Sequence, residues 1–201
     1  MLPSKPFYEA VKRAIDVAAS CVLLCLLAPI GLAVAVLVKL DSPGRIFFVH
    51  ERVGRGGRRF RLIKFRTMRA DAAPYAPTAR SERDPRPTYF GRFLRDHGLD
   101  ELPQLLNVLK GDMSLVGPRP EMPFIVDTYT ERQRRRLALK PGITGLWQVL
   151  GPRHRPIHEH LEYDLYYLRH RSLMLDFWIL FRTIPIAAIG KRRQRARRRE
   201  R

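Results

Sequence analysis

The sequence predicts an α+β fold that is predominantly helical, with an N-terminal re-entrant, membrane-inserted helix, a small β-hairpin and interfacial amphipathic helices. Three observations support this prediction. Residues 17–38 carry no charge over a length that matches a membrane. Apolar and β-branched runs flank a glycine cluster at 54–57, and leucines recur at helical spacing around Pro103. We expect a membrane-anchoring helix at residues 1–40, a cytosolic domain at 41–190 and a disordered basic tail at 191–201.

The stretch from Val17 to Val38 would extend about 33 Å as a helix, enough to cross a hydrocarbon core. It is longer than the apolar part of a secretory signal, and no small-residue cleavage site follows it. Basic residues flank both ends, so positive charge stays in the cytosol on both sides only if the segment enters and returns. Pro29 supplies a break at its centre. A re-entrant helix is therefore favoured, with a kinked spanning helix as the alternative.

The chain is strongly basic. Its 201 residues include 38 Lys and Arg against 19 Asp and Glu, which gives a net charge of +19. Such an excess indicates phosphate-rich partners: nucleic acid, anionic lipid or a nucleotide substrate. The arginine-rich tail is expected to be solvated or attracted to lipid, with a nucleic-acid arm as the alternative. Cys21 and Cys25 lie in the apolar stretch and indicate neither a disulfide framework nor a zinc site.

The residues after the apolar stretch predict a β-hairpin whose loop contains Gly54, Gly56 and Gly57. Its polar positions are mostly cationic. Lys64 and Arg66 are therefore candidate phosphate or substrate ligands, although a solvated edge that resists strand pairing would also explain the charge. The proline-rich connection at residues 70–87 is of a kind that often carries substrate contacts.

An acidic pair, Asp100 and Glu101, stands at the predicted start of the next helix. Gly98 ends the preceding element, Asp100 occupies the expected capping position, and Pro103 is tolerated only in a first turn. Backbone N–H groups at a helix start favour the ionised carboxylate. A capping aspartate followed by a solvated glutamate would explain the pair without any chemistry.

Two arginines favour a chemical interpretation of this pair. Arg95 precedes it by one helical turn and a half, and Arg119 is mounted rigidly between Pro118 and Pro120 in GPRPE. Carboxylates beside guanidinium groups suggest phosphate chemistry with a metal ion, because the cation offsets repulsion between the acid and the phosphate.

Three further features of the C-terminal half leave alternatives open. His154, His158 and His160, with Glu159, would form a metal site, but Pro156 interrupts helical pairing and the ligand spacing is not a recognised one. Asp164 in EYDLYY either reaches the active site or lies on a surface helix with its aromatic residues buried. Residues 172–189 predict an interfacial helix or a buried core helix.

From about Lys12 to Ile189 the sequence resembles the bacterial sugar transferases, the monotopic phosphoglycosyl transferases. The motifs that carry this resemblance are, in order, KRAID, the proline-broken apolar segment, KFRTM, LDELPQLLNVLKGDMSLVGPRPE, KPGITGLWQV and EYDLYY. The chain looks like the short form of the family, a re-entrant helix and a catalytic domain without further spanning helices in front.

The resemblance implies transfer of a sugar-1-phosphate from a nucleotide diphosphate sugar, expected to be a UDP-sugar, to polyprenyl phosphate, with release of UMP. It implies that Asp100 and Glu101 are the catalytic pair: Asp100 is the nucleophile that forms an acyl phosphate, and Glu101 helps to hold Mg²⁺. Arg95 and Arg119 would contact phosphate, and Asp164 belongs to a family motif. The expected location is the bacterial inner membrane, with the catalytic domain on the cytosolic face against anionic lipid and with no nucleic-acid partner.

The chain departs from the family pattern at three places, and two other functional classes stay open. DHGL stands before Asp100 where a more hydroxylated stretch is expected, so Asp96 and His97 would alter the site's charge; Arg45 and His50 replace a common proline and glutamine. A membrane-tethered nucleic-acid-binding protein would explain the charge but not the acidic pair or GPRP. A catalytically idle membrane scaffold would explain the apolar segment, with loss of activity through the DHGL change as its cause.

Overall fold

The computed structural model describes residues 5–72, 84–151 and 157–190. The fold is predominantly helical, as predicted. The helices are α1 Pro6–Asp41, α2 Tyr89–His97, α3 Gln104–Lys110, α4 Pro123–Asp127, α5 Glu131–Arg134, α6 Leu146–Leu150, α7 Leu161–His170 and α8 Leu173–Ile189. The strands are β1 Phe47–Val53, β2 Arg59–Phe65, β3 Ser114–Val116 and β4 Gly142–Thr144. The predicted basic tail lies outside the described residues, as does most of the proline-rich connection.

Helix α1 is one helix of 36 residues, and its helical backbone continues through Pro29. Within the described part of the chain, it alone is long and apolar enough to cross a membrane, by length and composition. Only 11% of its apolar window is buried inside the protein. A core helix of a water-soluble domain would be mostly covered, so this exposure suits contact with lipid. The helix is thus not interrupted at Pro29. A bend there and the re-entrant path stay predictions.

The N-terminal part of α1 is fastened to α3 and β3. The guanidinium of Arg13 donates to the carbonyls of Val108 at 2.6 Å and Leu109 at 2.9 Å, which belong to the last turn of α3. One turn later, the Asp16 carboxylate accepts a bond from the backbone N–H of Leu115 at 3.1 Å. A cation on exposed carbonyls at a helix end satisfies groups that the helix itself leaves unpaired.

The C-terminal end of α1 is fastened to the same folded body through β2. Arg66, directly after β2, donates to the carbonyls of Val38 at 3.3 Å and Ser42 at 2.6 Å. Val38 also packs into a small apolar cluster with Phe65 and Leu94. Both ends of α1 therefore contact one body, and the exposed apolar stretch lies between them.

The predicted β-hairpin is confirmed. Strands β1 and β2 pair antiparallel with a register from Phe47 opposite Phe65 to Val53 opposite Arg59. The loop turns through Gly56 and Gly57, whose φ angles of 67° and 81° are the left-handed values that favour glycine. A second sheet, in which β3 and β4 pair in parallel, was not predicted from the sequence.

The main core lies between the hairpin and helices α3, α6, α7 and α8. It contains Leu62, Val108, Met113, Val116 and Ile179, each at most 4% exposed. Helix α8 has one buried and one exposed apolar face, because Ile179 and its neighbours face this core while other apolar side chains stay exposed. The exposed ones are Met174, Phe177, Trp178, Phe181 and Ile184, at 79%, 52%, 39%, 71% and 64%. The interfacial position of α8 stays a prediction.

Helix α3 is joined to the hairpin by the side chain of Asn107, which is fully buried. Its amide N–H donates to the carbonyl of Arg61 at 2.7 Å, and its amide oxygen accepts from the N–H of Ile63 at 3.1 Å. These two bonds satisfy backbone groups on the edge of β2 that β1 does not reach.

We predict that Asn107→Leu lowers the free energy of unfolding by about 3 kcal/mol, because a similar volume is kept while two backbone groups of β2 lose their partners. Equilibrium unfolding in detergent micelles measures this loss. The matched control is Thr128→Val, which removes an exposed side-chain bond to the carbonyl of Ile125 and should change stability by no more than about 0.5 kcal/mol. Equal effects of the two substitutions would contradict the prediction.

Candidate functional site

The acidic pair lies in a tight turn between α2 and α3. Helix α2 ends at Gly98, whose φ is 75°, and Leu99–Glu101 form a 3-10 turn. Helix α3 begins only at Gln104, with Pro103 at the capping position and no side-chain cap. The expected capping role of Asp100 is therefore wrong. Pro103 has no N–H to donate, so the short-range bonds of the turn end before it and α3 starts one turn later than predicted.

Asp100 is buried, with 5% of its surface exposed. Its charge acts on Lys64, near the end of β2, and on Arg119. Burial lowers the pKa of Lys64 to about 8, against the opposing pull of the charges on Asp100 and Glu101. The positive charge of Arg95, on α2, also lowers this pKa. The structure thus brings the predicted residues Lys64, Arg95, Asp100 and Glu101 together.

Glu101 contacts the predicted arginine of the GPRP loop directly. The guanidinium of Arg119 donates to Oε1 of Glu101 at 3.0 Å, and the charge of Glu101 raises the pKa of Arg119. The Arg119 side chain keeps 40% of its surface exposed. It can therefore hold the carboxylate and still present donors to an anionic ligand.

Arg66 and Asp164 have other contacts in the structure. The Arg66 guanidinium donates to the carbonyls at the end of α1 and to that of Pro43 at 2.7 Å. Asp164 is 3% exposed and accepts a 2.8 Å bond from Nε of Arg136. It does not lie on a solvated helix face. The predicted substrate contacts of both residues stay predictions.

Arg136 was missed by sequence reasoning and connects Asp164 to the site. Besides its bond to Asp164, it donates to the carbonyl of Arg119 at 2.7 Å and to the hydroxyl of Tyr129 at 2.5 Å. Arg136 is 3% exposed, so these acceptors replace the water that it has lost. The buried pair holds the backbone that carries Arg119.

A second missed pair comes from β1. Nε of Arg52 donates to Nε2 of His50 at 2.7 Å, and the far end of the guanidinium reaches the carbonyl of Pro120 at 3.5 Å. Burial, with the charges of Arg52, Lys64 and Arg119, lowers the pKa of His50 to about 3. His50 is therefore a neutral acceptor that orients Arg52 toward the GPRP loop. The only sequence feature that pointed to His50 was that it occupies a position where glutamine is common in the family pattern.

The DHGL departure begins with the last two residues of α2, Asp96 and His97, directly after Arg95. A Cβ placed on Gly190, after α8, would lie 2.7 Å from the Asp96 carboxylate and 3.3 Å from the His97 ring. These two side chains thus border the C-terminal end of α8.

The donor set near Glu101 suits Mg²⁺. In the described part of the chain, no group of three His, Cys, Asp or Glu side chains is placed to hold a metal ion. Magnesium needs fewer protein ligands, because it is usually held by one or two carboxylates together with water and substrate phosphates. Of the histidine group, His154 and the side chain of His158 lie outside the described residues, and His160 contacts Glu162 at 3.2 Å.

We predict that His50→Gln weakens the acid sensitivity of the fold. In the unfolded chain His50 takes up a proton near pH 6.5, and in the folded protein only near pH 3. The unfolded state therefore binds more protons between these values, so stability falls as the pH falls. Between pH 7 and pH 5 the wild type should lose about 2 kcal/mol more than His50→Gln.

Unfolding free energies at the two pH values measure this difference. The control is His170→Gln, at an exposed position on α7, which should keep the pH dependence of the wild type. If His50→Gln also keeps the pH dependence of the wild type, the prediction that His50 is buried in its neutral form is wrong.

Comparison with known proteins places the chain in a family. Residues 7–190 match the model for bacterial sugar transferases. A UDP-N-acetylgalactosamine-undecaprenyl-phosphate N-acetylgalactosaminephosphotransferase of Aeromonas hydrophila is 41% identical over 94% of the chain, which spans 46% of that protein. The exopolysaccharide production protein ExoY of Rhizobium meliloti is 36% identical, with 93% of the chain and 89% of the relative covered.

A third relative is the UDP-glucose:undecaprenyl-phosphate glucose-1-phosphate transferase of Caulobacter vibrioides. It is 43% identical over 87% of the chain and 68% of its own length. The match covers almost all of the chain and includes the acidic pair, the GPRP loop and both ends of α1. The chain belongs to the bacterial sugar transferase family.

Proposed function

We propose that the chain transfers a sugar-1-phosphate from a nucleotide diphosphate sugar, expected to be a UDP-sugar, to polyprenyl phosphate at the cytosolic face of the bacterial inner membrane. The products are polyprenyl-diphosphate-sugar and UMP, as in a first membrane step of polysaccharide or glycoconjugate synthesis. The observation that carries the proposal is the buried Asp100 beside Glu101, set among Lys64, Arg95 and Arg119. Two relatives are named as sugar phosphate transferases that use undecaprenyl phosphate, and these names support the proposal.

In the first half of the reaction, a carboxylate oxygen of Asp100 attacks the phosphorus next to the sugar. The bond from this phosphorus to the bridging oxygen breaks, and UMP leaves with that oxygen. An acyl phosphate that carries the sugar remains on Asp100. Lys64, which stays mostly protonated at pH 7, and Arg119 stabilise the charge on the transferring group.

In the second half, an oxygen of polyprenyl phosphate attacks the same phosphorus, and the bond to Asp100 breaks. The carboxylate is regenerated and the new diphosphate stays in the membrane. Because Asp100 is 5% exposed, its surroundings would shield the acyl phosphate from water between the two halves.

Mg²⁺ fits this proposal, with Glu101 as its protein ligand beside the diphosphate. When bound, it would neutralise part of the diphosphate charge and polarise the bond that breaks. Arg119 shares the Glu101 carboxylate, and it would position that carboxylate and contact the phosphate.

The attachment of α1 supports membrane entry and return on one side. A spanning helix would place Asp16 and Val38 on opposite sides of the hydrocarbon core. Here Asp16 bonds to Leu115 and Val38 bonds to Arg66, both in the same body. The exposed apolar face of α8 would lie against the same leaflet, where a water-soluble donor and a lipid acceptor can meet.

For this topology we predict that cysteines at both ends of α1 stay unlabelled by a membrane-impermeant maleimide in intact cells. Suitable positions are Phe7, which is 81% exposed, and Arg45, after Cys21 and Cys25 have been replaced by serine. Permeabilised cells provide the control, in which both positions should react. Labelling of residue 7 but not 45 in intact cells would establish a spanning helix instead.

For the chemistry we predict that Asp100→Asn lowers UMP release at least about a thousandfold, because the amide is a poor nucleophile. The assay uses purified protein in lipid discs with Mg²⁺, a panel of UDP-sugars and polyprenyl phosphate. Without the acceptor, the intact mass of the wild type should rise by one sugar phosphate, and that of Asp100→Asn should not.

The matched control is Asp127→Asn, an exposed carboxylate at the end of α4, which should behave as wild type. Release of UDP instead of UMP would indicate ordinary glycosyl transfer and refute the role of Asp100. No turnover of any donor by the wild type would favour the scaffold alternative.

A further inference from the structure

A cavity lies near the end of α3 that is opposite to the acidic pair. It has a volume of about 150 Å³ and is bordered by the N-terminal part of α1, the hairpin loop and the segment before β4. At about 30 Å³ per water molecule, this is room for about five waters, or for a phosphate group with its five non-hydrogen atoms. Neither Asp100 nor Glu101 lines it.

Cations dominate the lining of this cavity. Five basic side chains stand against two carboxylates: Lys12, Arg13, Arg55, Lys140 and Arg171 against Glu9 and Asp16. Both carboxylates already have partners. Asp16 accepts from the N–H of Leu115, and Glu9 pairs with Arg55 at 3.4 Å and Arg171 at 3.9 Å.

Lys140 is the cation whose charge is least compensated. Among the described residues, its ammonium group has no hydrogen bond or ion pair, and burial with the charges of Arg13 and Arg55 lowers its pKa. A Cβ placed on Gly111 would lie 3.6 Å from both the Arg13 guanidinium and the Lys140 ammonium. Two cationic heads therefore border one small space, and an anion between them would relieve their repulsion.

The position of the cavity along α1 indicates where such an anion comes from. The lining includes residues of α1 from Tyr8 to Asp16, and the uncharged stretch begins at Val17. The cavity thus opens at the depth at which α1 would enter the bilayer, where lipid phosphates lie. Exposed apolar side chains of α1, such as Val22 at 55% and Leu26 at 68%, would adjoin the acyl chains.

We propose that this cavity is a binding site for a phosphate group, separate from the acidic pair, with Lys140, Arg13 and Arg55 as its cationic ligands. A membrane phospholipid headgroup is the expected source of the phosphate, and a free phosphate ion is the other. The site does not depend on the reaction proposed for Asp100.

The test measures thermal unfolding of the full chain in maltoside detergent and phosphate-free buffer. Three probes are compared: dihexanoyl phosphatidate, dihexanoylglycerol as the same lipid without phosphate, and inorganic phosphate. At about ten times its dissociation constant, phosphatidate should raise the midpoint by about 4 °C, and dihexanoylglycerol should not. An equal shift with inorganic phosphate would identify the free ion as the source.

Variants locate the binding. Lys140→Gln/Arg55→Gln should lose at least half of the phosphatidate shift, and Lys140→Gln alone serves if the double variant is poorly folded. The matched control, Arg132→Gln/Arg135→Gln, removes two exposed charges elsewhere and should keep the full shift. Asp100→Asn should also keep it, which separates this site from the proposed catalytic one.

Three results would overturn the proposal. They are no shift with any phosphate probe in the wild type, an equal shift in the cavity variants and the wild type, and a shift that Asp100→Asn abolishes while the cavity variants retain it. The last result would place the bound phosphate at the acidic pair.

Discussion

The two hydrogen bonds of Asn107 fix the geometry on which the candidate site depends. They join α3 to the edge of β2, and the site's opposing charges lie on these two elements. Lys64 follows Ile63 on β2, and the turn with Asp100 leads into α3. A shift of α3 along β2 would separate the carboxylate from the cation. A fully buried amide with both of its functions satisfied is a specific connection, because sliding by one residue would leave polar groups unpaired.

The cations of the site are held in place by polar groups one layer further from the acidic pair. Arg136 fixes the backbone of Arg119, and His50 orients Arg52. The buried basic side chains reduce the stability of the fold. Burial and mutual repulsion lower the pKa values of Lys64, Arg52 and His50. Unfavourable electrostatics of this kind are characteristic of sites that stabilise an anion, because the positive charge has to be in position before the anion arrives.

The sequence was informative where the pattern is local. The apolar helix, the hairpin around its glycines, and the nearness of the acidic pair to Arg95 follow from short-range patterns. The contact between Glu101 and Arg119, 18 positions apart, was expected from their chemistry. The predicted capping role of Asp100 is wrong, because Pro103 is compatible with two different start positions of α3. The parallel pairing of β3 with β4 was not predicted, because strands of three residues are too short to show an alternating hydrophobic pattern. Arg136 with Asp164, 28 positions apart, is a tertiary contact without a local signal.

The charged motif KRAID fixes the position of α1 relative to the elements that carry the site. Lys12 pairs with the buried Asp176 of α8 at 2.9 Å, Arg13 holds the last carbonyls of α3, and Asp16 holds β3. Each bond connects α1 to a different element, directly before the apolar stretch begins. A charge that left its partner would be buried without compensation, which is costly. The positions of α1 and Asp100 are therefore set together, because α3 is fastened at one end to α1 and carries the acidic turn at the other.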